Sequence, residues 1–67
     1  MQANKSTYGD GLLTVPETAE YIRKSKSWLD QGRVYGFGPS FIRLRGSIFY
    51  SRSDLDAYIA ANRVTVA

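Results

Sequence analysis

Apolar residues along this chain fall into four short groups, each with its own spacing, separated by turn-forming residues. In "LLTVPETAEYI", Leu12 and Leu13 lead into Val15, Thr18, Ala19 and Ile22, which recur at helical spacing and share one face. Thr14 and Glu17, three residues apart, match a capping box in which each side chain satisfies the other's backbone amide. Pro16 falls in the first turn, where a missing N–H costs nothing. The pattern predicts a short helix of about two turns.

A second helix starts at Ser25, just after Arg23 and Lys24, and ends near Tyr35 or Gly36. Trp28, Leu29 and Gly32 form its inner face, and Trp28 is expected in the core. Lys26, Ser27, Asp30, Gln31 and Val34 lie on the opposite face. Gly32 inside a helix costs roughly 1 kcal/mol relative to Ala, which close backbone packing can offset. Two short helices joined by so few residues must cross steeply, the geometry of a helix-turn-helix.

"GFGPS" is a turn cluster. The segments "FIRL" and "SIFY" then alternate around Arg45-Gly46, predicting a tight hairpin. The expected register puts Ile42 and Leu44 on one face with Ile48 and Tyr50, and Arg43 with Phe49 on the other, Phe49 projecting outward. In "SRSDLDAYIAANR", Ser53 is the expected cap of a last helix that buries Leu55, Tyr58 and Ile59. Tyr50 and Tyr58 are expected to pack through their rings with their hydroxyls in solvent. The resulting fold class is α+β: a small winged helix-turn-helix of about three helices plus a two-stranded hairpin wing. It spans residues 12–63, with a loose tail over 1–11 and a frayed end over 64–67.

Charge sharpens this picture. Seven of the nine Lys and Arg residues lie between Arg23 and Arg52, with Asp30 the single acid there, and six of the nine aromatic rings lie in residues 25–50. The second helix and the hairpin tip are the two elements that such a fold offers to DNA, and they carry the positive charge. Arg23, Lys24, Lys26, Arg33, Arg43, Arg45 and Arg52 are therefore candidate phosphate contacts. Lys26 and Gln31 stand on the reading face of the second helix. Asp30 is best placed to hold Arg33, three residues on.

Other chemistry is scarce. The chain has no Cys and no His, which argues against a disulfide, a thiolate metal site or a histidine base. No catalytic motif places any of the six carboxylates, and Gly36, Gly38 and Pro39 are not followed by the Lys-Ser/Thr of a phosphate loop. The expectation is a non-enzyme without cofactor or metal. With no signal-like segment and no apolar run of membrane length, it is also expected to be soluble and cytoplasmic.

"LLTVPETAEYIRKSKSWLDQGRV" followed by "GPSFIRLRGSIFYSRSDLDAYIAANR" resembles the small phage excisionases and AlpA-type regulators, whose winged helix-turn-helix is related to that of the MerR regulators. The resemblance covers residues 12–63. It implies that the second helix enters the major groove, with Lys26, Ser27, Asp30 and Gln31 facing it. The wing, carrying Arg43, Arg45 and Ser47, meets the adjacent minor groove or backbone. Two places depart from the family pattern: the wing turn reads "RGS", one charge poorer, and Phe49 stands where a basic residue is common.

The implied role is a double-stranded DNA-binding excisionase that bends DNA near an attachment site and steers an integrase or recombinase. Alternatives are a transcriptional regulator of a prophage or mobile element, and a protein-interaction module using Phe37 or Phe49. The chain is expected to be a monomer in solution, and assembly of copies along DNA is left open.

Overall fold

Six elements follow one another in the computed structural model, which describes residues 11–66: β1 (Leu12–Thr14), α1 (Val15–Ile22), α2 (Lys26–Tyr35), β2 (Ile42–Leu44), β3 (Ser47–Ser51) and α3 (Arg52–Ala61). Three helices and a three-stranded antiparallel sheet, in the order β1-β3-β2, make a small α+β domain with the winged helix-turn-helix arrangement. The expected N-terminal tail, apart from Gly11, lies outside the described residues, as does Ala67. Among the described residues no helix is long and apolar enough to cross a membrane.

Local chemistry sets the first two helices. Thr14 Oγ1 accepts from the Glu17 amide at 3.3 Å, and the Thr14 amide donates to Glu17 Oε1 at 2.8 Å, completing the capping box. α1 stops at Arg23, whose left-handed backbone (φ 59°) turns the chain toward α2. Ser25 caps α2 by accepting from the Trp28 amide at 3.0 Å, and Gly36 (φ 82°) ends it. Gly32 is needed for close approach: a Cβ there would overlap the Phe37 carbonyl oxygen, while the Gly32 carbonyl accepts from the Gly36 and Phe37 amides at 2.8 and 3.0 Å.

The core is Leu13, Leu29, Tyr50 and Leu55, each drawn from a different element, with Thr18 also buried. Leu12 and Leu13, expected only as an apolar lead-in, form a third strand: Leu13 pairs with Tyr50 and Thr14 with Phe49. The sheet thus protects one edge of β3 that a two-stranded wing would leave open.

Five expectations need correction. The hairpin faces differ from the expected register, because the two-residue turn pairs Leu44 with Ser47, Arg43 with Ile48 and Ile42 with Phe49. Directly paired residues share a face, so Arg43 lies with Ile48 and Tyr50, whereas Ile42 and Leu44 lie with Phe49, which is half-buried rather than projecting outward. The Tyr50 hydroxyl is not in solvent; the residue is 1% exposed and accepts a hydrogen bond from Arg33.

The cap of α3 is Ser51, not Ser53: Ser51 Oγ accepts from the Asp54 amide at 3.1 Å, and the helix starts directly from the end of β3. Its burial is also narrower than expected, with Leu55 fully buried, Tyr58 half-buried and Ile59 47% exposed. Trp28, finally, is half-buried and packs against the core from outside it, its ring 5.4 Å from that of Phe37 and 6.5 Å from that of Tyr58.

Candidate nucleic-acid interface

The side chains of α2 divide cleanly by helical period. Leu29 and Gly32 are buried and hold the helix on the core, whereas Lys26, Ser27, Asp30, Gln31, Val34 and Tyr35 are exposed. Gln31 Nε2 donates to Ser27 Oγ at 3.2 Å, one turn back, which orients the Gln31 amide along the exposed face. Val34 and Tyr35, at 75% and 76% exposure, extend this face toward the helix C-terminus. Tyr35 was not among the residues singled out from sequence, although its position four residues after Gln31 places it on the same side.

The hairpin presents a second group. Arg45 (φ 47°) and Gly46 (φ 88°) both adopt left-handed backbone at the tip, as a type I′ turn requires. Arg43 and Ser47 flank the tip, and both are exposed. The Arg43 guanidinium lies 5.6 Å from the Phe41 ring centre, and Arg33 approaches the same ring from α2 at 5.9 Å. Helix and wing thus bring two cations to one aromatic ring.

Arg33 differs from the other cations. It donates to the Tyr50 hydroxyl at 2.7 Å and pairs with Asp30, the one ion pair among the described residues. Burial by itself lowers its pKa, but hydrogen bonds to Tyr50 and Asp30 outweigh that and leave it above the ordinary arginine value. The intrahelical pair expected for Asp30 is therefore present.

Arg23 and Lys24 occupy the turn between α1 and α2, with Lys24 Nζ 4.8 Å from the Trp28 ring centre. Arg52 stands apart from the others. It begins α3 at the opposite end of β3, roughly 20 Å along the chain from the tip, with its guanidinium 5.7 Å from the Tyr21 ring centre. Tyr21 in turn donates to Asp56 at 2.6 Å. Of the ten residues selected from sequence, Lys26, Ser27 and Gln31 share the α2 face. Arg43, Arg45 and Ser47 share the wing, Arg23 and Lys24 the interhelical turn. Arg33 turns inward and Arg52 joins the α1–α3 junction.

An open groove of about 520 Å³ lies between the α1–α2 turn and the C-terminal part of α3, over Ile22, Trp28, Tyr58 and Ile59. Among the described residues no carboxylate lines it. Compared with protein-family models, curated proteins and solved structures, the chain has no significant match.

Proposed function

We propose that this protein binds double-stranded DNA sequence-specifically, with α2 in the major groove and the hairpin tip on the adjacent minor groove or backbone. The role that best fits is that of a phage excisionase, bending DNA in the cytoplasm of a bacterial host and steering an integrase. The observation that carries the DNA reading is Arg45 at the wing tip. An L-residue other than Gly in the left-handed region costs roughly 1–2 kcal/mol, and Asn or Gly would serve this turn better. Arg45 has no ion-pair partner among the described residues, so the free protein gains nothing evident from a cation there. A phosphate would offset the strain. Arg23, the other non-glycine residue with positive φ among the described residues, repeats the choice at the turn before α2.

The reading face supports the same conclusion. Gln31 offers both a donor and an acceptor, the set that can bind adenine N6 and N7 in the major groove. Of the seven candidate phosphate contacts, Arg23, Lys24, Lys26, Arg43 and Arg45 remain as exposed cations once Arg33 and Arg52 are set aside.

The test is selection of bound sequences from a random duplex pool, followed by titration of the recovered site at graded salt. Five phosphate contacts give an expected slope of log K against log[salt] of about −4 to −5. A slope near zero, with the fold intact by circular dichroism, would overturn the proposal.

A further inference from the structure

The geometry points to Arg33 as a positioning residue: it sets the angle between α2 and the wing, rather than contacting phosphate itself. This rests on the DNA reading above. Arg33 leaves α2 on the side away from Ser27 and Gln31, and its side chain is only 17% exposed. One arm donates to the Tyr50 hydroxyl at 2.7 Å and another to Asp30 on its own helix. The guanidinium carbon lies 5.9 Å from the Phe41 ring centre and 6.0 Å from that of Tyr50, and those two rings pack 6.2 Å apart. One arm is thus committed inward to Tyr50 and the other to the exposed Asp30 carboxylate, which neutralises the charge that a phosphate would need.

This bridge matters because α2 and the hairpin have little else in common. Among the described residues, Arg33 to Tyr50 is the one side-chain hydrogen bond between α2 and the sheet. The helix is held otherwise by Leu29 in the core and by Gly32 against Phe37. Tyr50 lies about 15 Å along the strand from the Arg45 tip, so a 10° tilt of the hairpin about Tyr50 carries the tip roughly 3 Å. That displacement is the whole length of a hydrogen bond to phosphate. A planar fork that lies beside the Phe41 and Tyr50 rings, hydrogen-bonded to Tyr50 across the gap and anchored to Asp30 on its own helix, resists such a tilt, whereas a lysine ammonium would act as a single point.

The experiment compares hydroxyl-radical footprints and affinities of wild type, Tyr50→Phe, Arg33→Lys, Arg45→Ala and the Tyr50→Phe/Arg45→Ala double variant on the selected duplex. Tyr50→Phe keeps the core ring and removes only the hydroxyl. It is expected to keep the protections made by α2, lose those of the wing, and weaken binding by roughly tenfold, as Arg45→Ala does. The double variant should then lose little more than either single one. Arg33→Lys keeps the charge and should behave like Tyr50→Phe; a phosphate-contacting arginine would tolerate lysine.

Full wing protection in Tyr50→Phe, additive losses in the double variant, or wild-type binding by Arg33→Lys each overturn the inference and leave the DNA reading standing. Uniform loss of all protections together with a large drop in melting temperature also overturns it, since that is destabilisation alone. Absence of binding by the wild-type chain overturns the DNA reading and this inference with it.

Discussion

The Arg33 guanidinium donates to the Tyr50 hydroxyl at 2.7 Å, joining a cation of α2 to a core tyrosine of β3 that is 1% exposed. The two partners are not equivalent. Tyr50→Phe removes the acceptor and leaves Arg33 with Asp30 and some access to water, an expected loss of about 0.5–1.5 kcal/mol. Arg33→Ala strands the buried hydroxyl without a partner and removes the guanidinium that lies by the Phe41 ring, an expected loss of about 1–3 kcal/mol. Urea denaturation of both variants checks the order; a larger loss for Tyr50→Phe would show that the hydroxyl has another partner.

Gly32 gives a prediction of opposite sign to helix propensity. Ala for Gly in an exposed helix gains about 1 kcal/mol. Here the added methyl meets the Phe37 carbonyl oxygen, which the Gly36–Phe37 turn holds in place through hydrogen bonds to the Gly32 carbonyl. Overpacking against backbone costs typically about 1–3 kcal/mol, so Gly32→Ala should lower the melting temperature. A stabilised variant would mean that the loop yields freely.

Arg45→Asn separates stability from binding at one position. Asn is the preferred first residue of a type I′ turn, so the variant should gain about 0.5–1 kcal/mol in thermal unfolding by relief of the left-handed strain. On duplex DNA it should bind all sequences more weakly, with the salt slope reduced in magnitude by about 1. Unchanged binding would remove Arg45 from the interface.

Tyr21 links pH to stability at the α1–α3 junction. Its pKa is raised above the ordinary value near 10 because its hydroxyl donates to Asp56, with burial and the Asp56 charge adding to the effect and Arg52 opposing it. A folded-state pKa above the unfolded one means that the contribution is fully present below pH 10 and is lost as pH rises through the folded value. Wild type should therefore lose stability in that alkaline range, and Tyr21→Phe should lose less of it. Ultraviolet difference titration of the two proteins should show a tyrosine ionising late in wild type and missing from the variant.

Much of the architecture was legible because its causes are local. The capping box at Thr14 and Glu17, the cap at Ser25, the stop at Gly36 and the turn at Arg45-Gly46 each depend on residues three or four apart, so the chain announces them without tertiary context. The division of α2 into a buried side at Leu29 and Gly32 and an exposed side at Ser27, Asp30 and Gln31 follows from period alone. So does the crowding of cations between Arg23 and Arg52.

Tertiary structure decided the rest. Leu12 and Leu13 became a strand only because β3 offered an edge about 37 residues away in sequence, a pairing no short window contains. The faces of the hairpin followed from its pairing rather than from alternation: each strand alternates correctly by itself, but a two-residue turn sets Leu44 against Ser47 and so exchanges one strand's faces relative to the other's. Arg33 and Arg52 counted in the sequence as equals of Arg43 and Arg45. Spatial neighbours separated them: Tyr50 and Phe41 draw one arginine inward, and Tyr21 with Asp56 holds the surroundings of the other at the far end of β3. Charge can be counted along a chain, but whether a cation is free to meet a phosphate depends on which rings and hydroxyls the fold brings to it.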